Sequence, residues 1–335
     1  MNGSIKASVV GGGSWGTAFA RLLARAGAET EIICRRPEQA AAINRSHRNP
    51  DYLRDIELPA SLTASSFENN HLQSAGLAII AIPSKVYRTV TREVAASLNP
   101  EAAVLSLTKG LEPVTLKRLS QVLAEELPEP AASRIMVLSG PNHAEEVALD
   151  IPTATTIASI NLELAAWLQQ LISTESFRPY INPDLTGVEL CAATKNVIAL
   201  AAGMSDGLGF GDNTKASLIT RGLAEMTRLG DRFGADPQTF SGLAGMGDLI
   251  ATCTSRHSRN RMAGELIASG KTPAEAEGEM GMVAEGLTSA AAVRDLALAN
   301  GVEMPITEQV CAVIHEGKDV RRAVADLMAR APRPE

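Results

Sequence analysis

Aromatic residues are nearly absent: Phe, Trp and Tyr together make up 3% of the 335 residues. A core must therefore be assembled from Ala, Leu, Val, Ile and Met, and a hydrophobic content of 45% is enough to build one. Cysteine is equally scarce. Cys34, Cys191, Cys253 and Cys311 lie far apart and form no C-x-x-C pair. That spacing leaves no zinc motif and, at this chain length, speaks against a disulfide framework. Reduced, buried thiols are expected, as in a cytoplasmic protein, and no bound metal is expected. Positive charge is in deficit, with a formal net charge of −7. This argues against a nucleic-acid binder, which presents a basic face, although a local basic pocket stays open. No leader-like segment opens the sequence, and its apolar runs are broken by Lys, Asp or Gly before reaching the ~20 residues of a membrane span. Neither export nor stable membrane insertion is expected.

What is present divides into two parts. At roughly 100–200 residues per domain, this length predicts two domains. Short apolar runs at Ala7–Gly11, Glu31–Cys34, Leu77–Ile82, Ala103–Leu107 and Ile135–Leu138 alternate with helical patterns, the first of them Ser14–Ala26. Continuous apolar strands separated by helices mean a parallel sheet covered on both faces. After Pro183 the strand signals stop, and Leu185–Met204, Ala216–Phe233, Arg261–Ala268, Leu287–Asn300 and Thr307–Glu316 read as helices. The expected fold is α/β: a doubly wound, Rossmann-type, mainly parallel sheet in residues 1–183, followed by an all-helical substrate-binding domain in 184–335. The Pro-rich tail 331–335 is expected to fray.

The sharpest motif is Gly11-Gly12-Gly13-Ser14-Trp15-Gly16. It matches G-x-G-x-x-G, follows a strand and opens a helix, the context in which this pattern signals dinucleotide binding. Gly11 allows a tight turn, Gly13 lets the backbone approach a pyrophosphate, and Gly16 lets helix and strand pack closely. The phosphates then meet the free N–H groups of a helix N-terminus. At the end of the second strand, where an NAD-selective fold places an acid on the ribose 2′-hydroxyl, this sequence has Cys34-Arg35-Arg36. Two guanidiniums suit a 2′-phosphate, so NADP(H) is the preferred cofactor and NAD(H) a possible one. Solvated surface arginines are the plainer reading of the same pair.

Ordered segments along nearly the whole chain, Val9 to Lys318, give the sequence a family likeness. Besides Gly11–Ala18 they are Thr108–Leu111, Ser139–Pro141, Lys195–Ala199, Gly203–Gly211, Thr220–Met226, Gly245–Leu249, Ser258–Arg261 and Val302–Thr307. On these the chain resembles the bacterial NAD(P)-dependent glycerol-3-phosphate dehydrogenases. The resemblance implies interconversion of dihydroxyacetone phosphate and sn-glycerol 3-phosphate for phospholipid synthesis, a small phosphorylated substrate as the binding partner, and a homodimer.

It also implies roles for individual residues. Lys195 becomes the general acid/base and a substrate ligand. Packed among small apolar residues, a lysine there loses hydration, which eases deprotonation; alone it also reads as a lysine snorkelling to solvent. Asp248, otherwise a common helix N-cap, is assigned to the substrate beside the lysine, where it favours the charged ammonium. Lys109 is assigned to both cofactor and substrate, and alone reads as a solvated loop residue after a strand. Gly140, Asn142, Ser258, Arg259 and Asn260 complete the substrate contacts, the last three as a phosphate clamp flanked by Arg256 and Arg261. Asn196 is a further candidate. Gly11, Gly13, Ser14, Trp15, Gly16, Arg35, Arg36, Lys109, Ala144, Arg259, Val283 and Glu285 are implied for the cofactor. The sequence departs from the family where Asn142-His143 replaces Ser or Thr followed by Phe. His143 reads either as a polar filler or as a group titrating near neutral pH. Two other functions remain open: a β-hydroxyacid-type dehydrogenase with another small substrate, and an NADPH-binding module without chemistry.

Overall fold

The computed structural model describes residues 4–129 and 131–331; the expected fraying beyond Ala331 lies outside them. Contacts divide the chain into two compact units, 1–112 with 117–189, and 113–116 with 190–335.

The first unit holds an eight-stranded sheet: β1 (Lys6–Val10), β2 (Glu29–Cys34), β3 (Thr63–Ser66), β4 (Leu77–Ile80), β5 (Ala103–Ser106), β6 (Ile135–Ser139), β7 (Thr153–Ala158) and β8 (Phe177–Asn182). Their order is β3-β2-β1-β4-β5-β6-β7-β8, and every neighbouring pair is parallel except β6 with β7. Helices α1 (Ser14–Arg25), α2 (Pro37–Ser46), α3 (Tyr87–Ser97), α4 (Leu119–Glu126), α5 (Ala144–Ala148) and α6 (Leu162–Ile172) alternate with the strands. Successive strand residues face opposite sides, and the two apolar cores show it. Val9, Ile32, Ile79 and Leu105 pack with Phe19 and Leu23 of α1 and Leu168 of α6. Their neighbours Val10, Ile33, Ile80 and Val104 pack with Tyr87 and Val94 of α3 and Val122 of α4. Burial on both faces is why these strands read as unbroken apolar runs. β3, β7 and β8 gave no such run and are additions to the expected strands.

The second unit is helical: most of α7 (Leu185–Gly207), then α8 (Asp212–Arg232), α9 (Pro237–Ser241), α10 (Asp248–Thr254), α11 (Arg259–Ala268), α12 (Pro273–Met280), α13 (Glu285–Ala299), α14 (Pro305–Glu316) and α15 (Val320–Met328). The division between the units falls inside α7, a few residues beyond the expected 183/184 boundary. By length and composition α7 is apolar enough to cross a membrane, with a mean hydropathy of 1.3 over an 18-residue window. Of that window, 89% is buried in the protein, as in the core helix of a globular fold. All four cysteines are buried.

Candidate active site

In the sheet unit, the sequence-predicted residues gather at the carboxyl ends of the parallel strands. The strand order reverses between β1 and β4, and open α/β sheets bind ligands in the crevice at such a point. Gly11 follows β1 with φ +118°, and a Cβ there would lie 2.2 Å from the Ala81 carbonyl oxygen after β4. A Cβ on Gly16 would lie 2.0 Å from the Gly11 oxygen. Both glycines are thus required by close backbone approach. Gly13 differs: a Cβ there meets nothing within 4 Å. It is the N-cap of α1 and supplies no side-chain hydrogen bond, so the first N–H groups of the helix stay available to an anion. Beside it the indole Nε1 of Trp15 is buried without a hydrogen-bond partner, while its ring packs edge-on against Phe19. An open cradle, uncapped helix N–H groups and an orphaned donor fit a pyrophosphate.

Beyond β2, Arg35 and Arg36 are exposed, and Arg36 pairs with Asp51. After β5, Lys109 donates to the Gly140 carbonyl oxygen at 3.2 Å and to Asn142 Oδ1 at 3.1 Å. Asn142 is buried and donates to Thr155 Oγ1 on β7 at 2.9 Å. The antiparallel β7 therefore fixes the loop after β6, and Lys109, Gly140 and Asn142 form one cluster. Ala144 opens α5 and is buried, with partly buried His143 as the N-cap before it.

In the helical unit, Lys195 lies mid-way along α7 and is 4% exposed. Its Nζ lies 3.0 Å from Asp248 Oδ1 and donates to Thr252 Oγ1 at 2.7 Å. The Thr252 hydroxyl in turn donates to the Asp248 carbonyl oxygen at 2.6 Å. Lys195 is therefore a buried, partnered ammonium, and the snorkelling reading is excluded. Asp248 is the first residue of α10 and turns its carboxylate to the lysine; the cap position belongs to Gly247. Thr252 stands four residues on, on the same helix face. Sequence reasoning missed it, although the i, i+4 spacing from Asp248 was the available signal.

A second cluster follows from helix packing. A Cβ on Gly203 would lie 1.9 Å from the Arg261 oxygen, and one on Gly264 2.2 Å from the Leu200 oxygen, so α7 and α11 touch backbone to backbone. This contact joins Asn196 to Asn260, whose Nδ2 donates to Asn196 Oδ1 at 2.9 Å and whose Oδ1 accepts the Gly286 N–H at 2.8 Å. Ser258 caps α11 by accepting the Arg261 N–H, and Arg259 is exposed. Arg261, which flanks the clamp, donates to Asp206 at 2.7 Å and to Glu265 at 2.6 Å. Val283 is exposed and Glu285 opens α13. A separate cavity of about 1290 Å³ runs along α8, α14 and α15 and includes Phe210, Glu225 and Leu327. None of the sequence-predicted site residues line it.

Two family models match the chain: the N-terminus of NAD-dependent glycerol-3-phosphate dehydrogenase over residues 6–165 and its C-terminus over 184–325. A glycerol-3-phosphate dehydrogenase (NAD(P)+) of Streptomyces griseus is 49% identical over 335 residues, covering 100% of this chain and 99% of the relative. One of Oceanobacillus iheyensis is 47% identical over 98% of this chain and 95% of the relative. The crystal structure of glycerol-3-phosphate dehydrogenase from Coxiella burnetii superposes with a TM-score of 0.92 at 36% identity, covering 98% of this chain and 99% of that one.

Proposed function

The chain belongs to the NAD-dependent glycerol-3-phosphate dehydrogenase family, and from that premise we propose how its own residues carry out the reaction. It is an NAD(P)-dependent oxidoreductase acting on the secondary alcohol of glycerol 3-phosphate. The observation that carries the mechanism is the buried Lys195–Asp248–Thr252 constellation.

When bound in the glycine-loop cradle, NAD(P)H would provide the hydride for the carbonyl carbon of dihydroxyacetone phosphate. The chain must supply the matching proton and a place for the phosphate. We assign the proton to Lys195 Nζ, which gives it to the carbonyl oxygen as the alcohol forms and takes it back in the reverse direction. Asp248 favours the charged ammonium before transfer. Thr252 fixes the direction in which the ammonium points, because its own hydrogen is committed to the Asp248 carbonyl. Ser258, Arg259 and Asn260 sit at the N-terminus of α11, where N–H groups and the helix dipole favour an anion, and we assign the substrate phosphate to them. The family resemblance also assigns the cluster of Lys109, Gly140 and Asn142 to the substrate. The glycine loop, with Ser14, Trp15, Ala144, Val283 and Glu285, holds the cofactor, and the arginines after β2 give NADP(H) the preference. In this reading the sheet unit is the dinucleotide-binding domain and the helical unit the substrate domain. A cytoplasmic homodimer is what the family resemblance supports, and sedimentation of the purified enzyme tests the oligomeric state.

The deciding experiment is oxidation of NADPH and NADH on addition of dihydroxyacetone phosphate. Turnover with both, faster at low NADPH, is expected. Turnover only with a carboxylate substrate would return the chain to the wider class of β-hydroxyacid dehydrogenases.

A further inference from the structure

The strand end that lacks an acid in the sequence acquires one in the fold. Arg36, just beyond β2, forms an ion pair with Asp51 from the turn after α2. Both charges act on Cys34, the last residue of β2: burial raises its thiol most, Arg36 lowers it and Asp51 raises it. The backbone of Asp51 is held in place. Asn49, 1% exposed, accepts the Asp51 N–H at 3.1 Å and the Tyr52 N–H at 3.3 Å through Oδ1. Through Nδ2 it donates to the Gly12 carbonyl oxygen at 3.0 Å and to Thr17 Oγ1 at 2.8 Å. Gln39 donates to the same Gly12 oxygen at 2.8 Å and to Asn49 at 3.1 Å. The turn that carries Asp51 is thereby tied to the glycine loop through a buried, satisfied polar network, the kind that fixes geometry.

We propose that Asp51 is a cofactor-specificity residue; the proposal rests on the reading that Arg36 meets the 2′ position of the adenosine ribose. With NAD(H), the Asp51 carboxylate accepts the 2′-hydroxyl, as the acid at the end of β2 does in NAD-selective folds. With NADP(H), the 2′-phosphate displaces Asp51 from Arg36 and is repelled by it. One acid and one base, paired with each other and anchored by Asn49, admit both cofactors and limit selectivity for either.

Calorimetric titration of NADPH and of NADH into the full-length wild type, Asp51→Asn and Arg36→Ala proteins tests this. Asp51→Asn is expected to shift the ratio of the two dissociation constants toward NADPH by about five- to tenfold, the scale of a half-exposed charge pair. Steady-state KM values should follow while kcat holds. Arg36→Ala should shift the ratio the other way. A substitution that only loosened the fold would weaken both cofactors alike, so an unchanged ratio in Asp51→Asn, or a shift toward NADH, overturns the role of Asp51. If at the same time Arg36→Ala moves the ratio, the arginine reading survives. An unmoved ratio in Arg36→Ala removes that reading and this inference with it.

Discussion

The glycine loop and the lysine constellation are built in different ways. In the proposed cofactor loop the backbone sets the shape: Gly11 and Gly16 let main chains touch, and Gly13 leaves open space. Around Lys195 the side chains do the work, and they converge from α7 and α10 by tertiary packing alone. A backbone-built region tolerates side-chain change wherever space is open and fails abruptly where main chains touch. A side-chain-built region loses function first and stability second.

The widest separation should come from Lys195→Met. The proposed proton donor is lost, and kcat should fall by about 10²–10⁴-fold while calorimetry shows NADPH binding unchanged. Retained turnover would place the proton elsewhere. Next is a pair inside the loop. Gly16→Ala puts a methyl 2.0 Å from a backbone oxygen, and thermal unfolding should show a loss of roughly 2–4 kcal/mol. Gly13→Ala, whose Cβ meets nothing within 4 Å, should cost no more than about 1 kcal/mol yet weaken cofactor binding. If the two variants behaved alike, the backbone account of the loop would fail.

The helical unit should also be sensitive to pH. Glu225 on α8 caps the N-terminus of α14, accepting the Ile306 N–H at 2.6 Å and the Thr307 N–H at 3.2 Å. Burial, partly offset by these bonds, lifts its carboxyl from the ordinary 4.5 to about 7. Between those values the folded protein keeps a proton that the unfolded chain has released, so stability declines as pH rises through that window. The decline should be roughly 1–3 kcal/mol in denaturant titrations, and Glu225→Gln should flatten it. The smallest effect expected is from Thr252→Val, which removes one hydrogen bond from a buried ammonium: kcat should drop about tenfold, with the KM for cofactor unmoved.

Legibility in the sequence followed the same divide. Strands buried on both faces and the spaced glycines were plain, because their signals are local. β8 was missed since Phe177–Asn182 carries Arg178 and Pro179, and proline belongs on the edge strand it turned out to be. β3, with the sequence TASS, has no apolar run to see. Family likeness singled out Asp248, whereas Lys195 also carried a local signal in the small apolar residues around it. Thr252, Asn49 and Asp51 escaped because their importance lies in partners distant in sequence, and periodicity says nothing about which buried polar groups will meet. Nor does spacing show that the flanking Arg261 is ion-paired with Asp206 and Glu265.

The scattered cysteines have a practical consequence. Cys34 sits directly beneath the glycine loop, where a Cβ on Gly12 would lie 2.9 Å from its sulfur. Cys253 follows Thr252 behind the lysine. Burial pushes both thiols up to about 12, so almost no thiolate exists at neutral pH in the closed protein. Alkylating reagents can modify either one only when its surroundings open. The two halves of the molecule thus come with separate, built-in clocks for local breathing, and mass spectrometry of timed labelling would read them side by side.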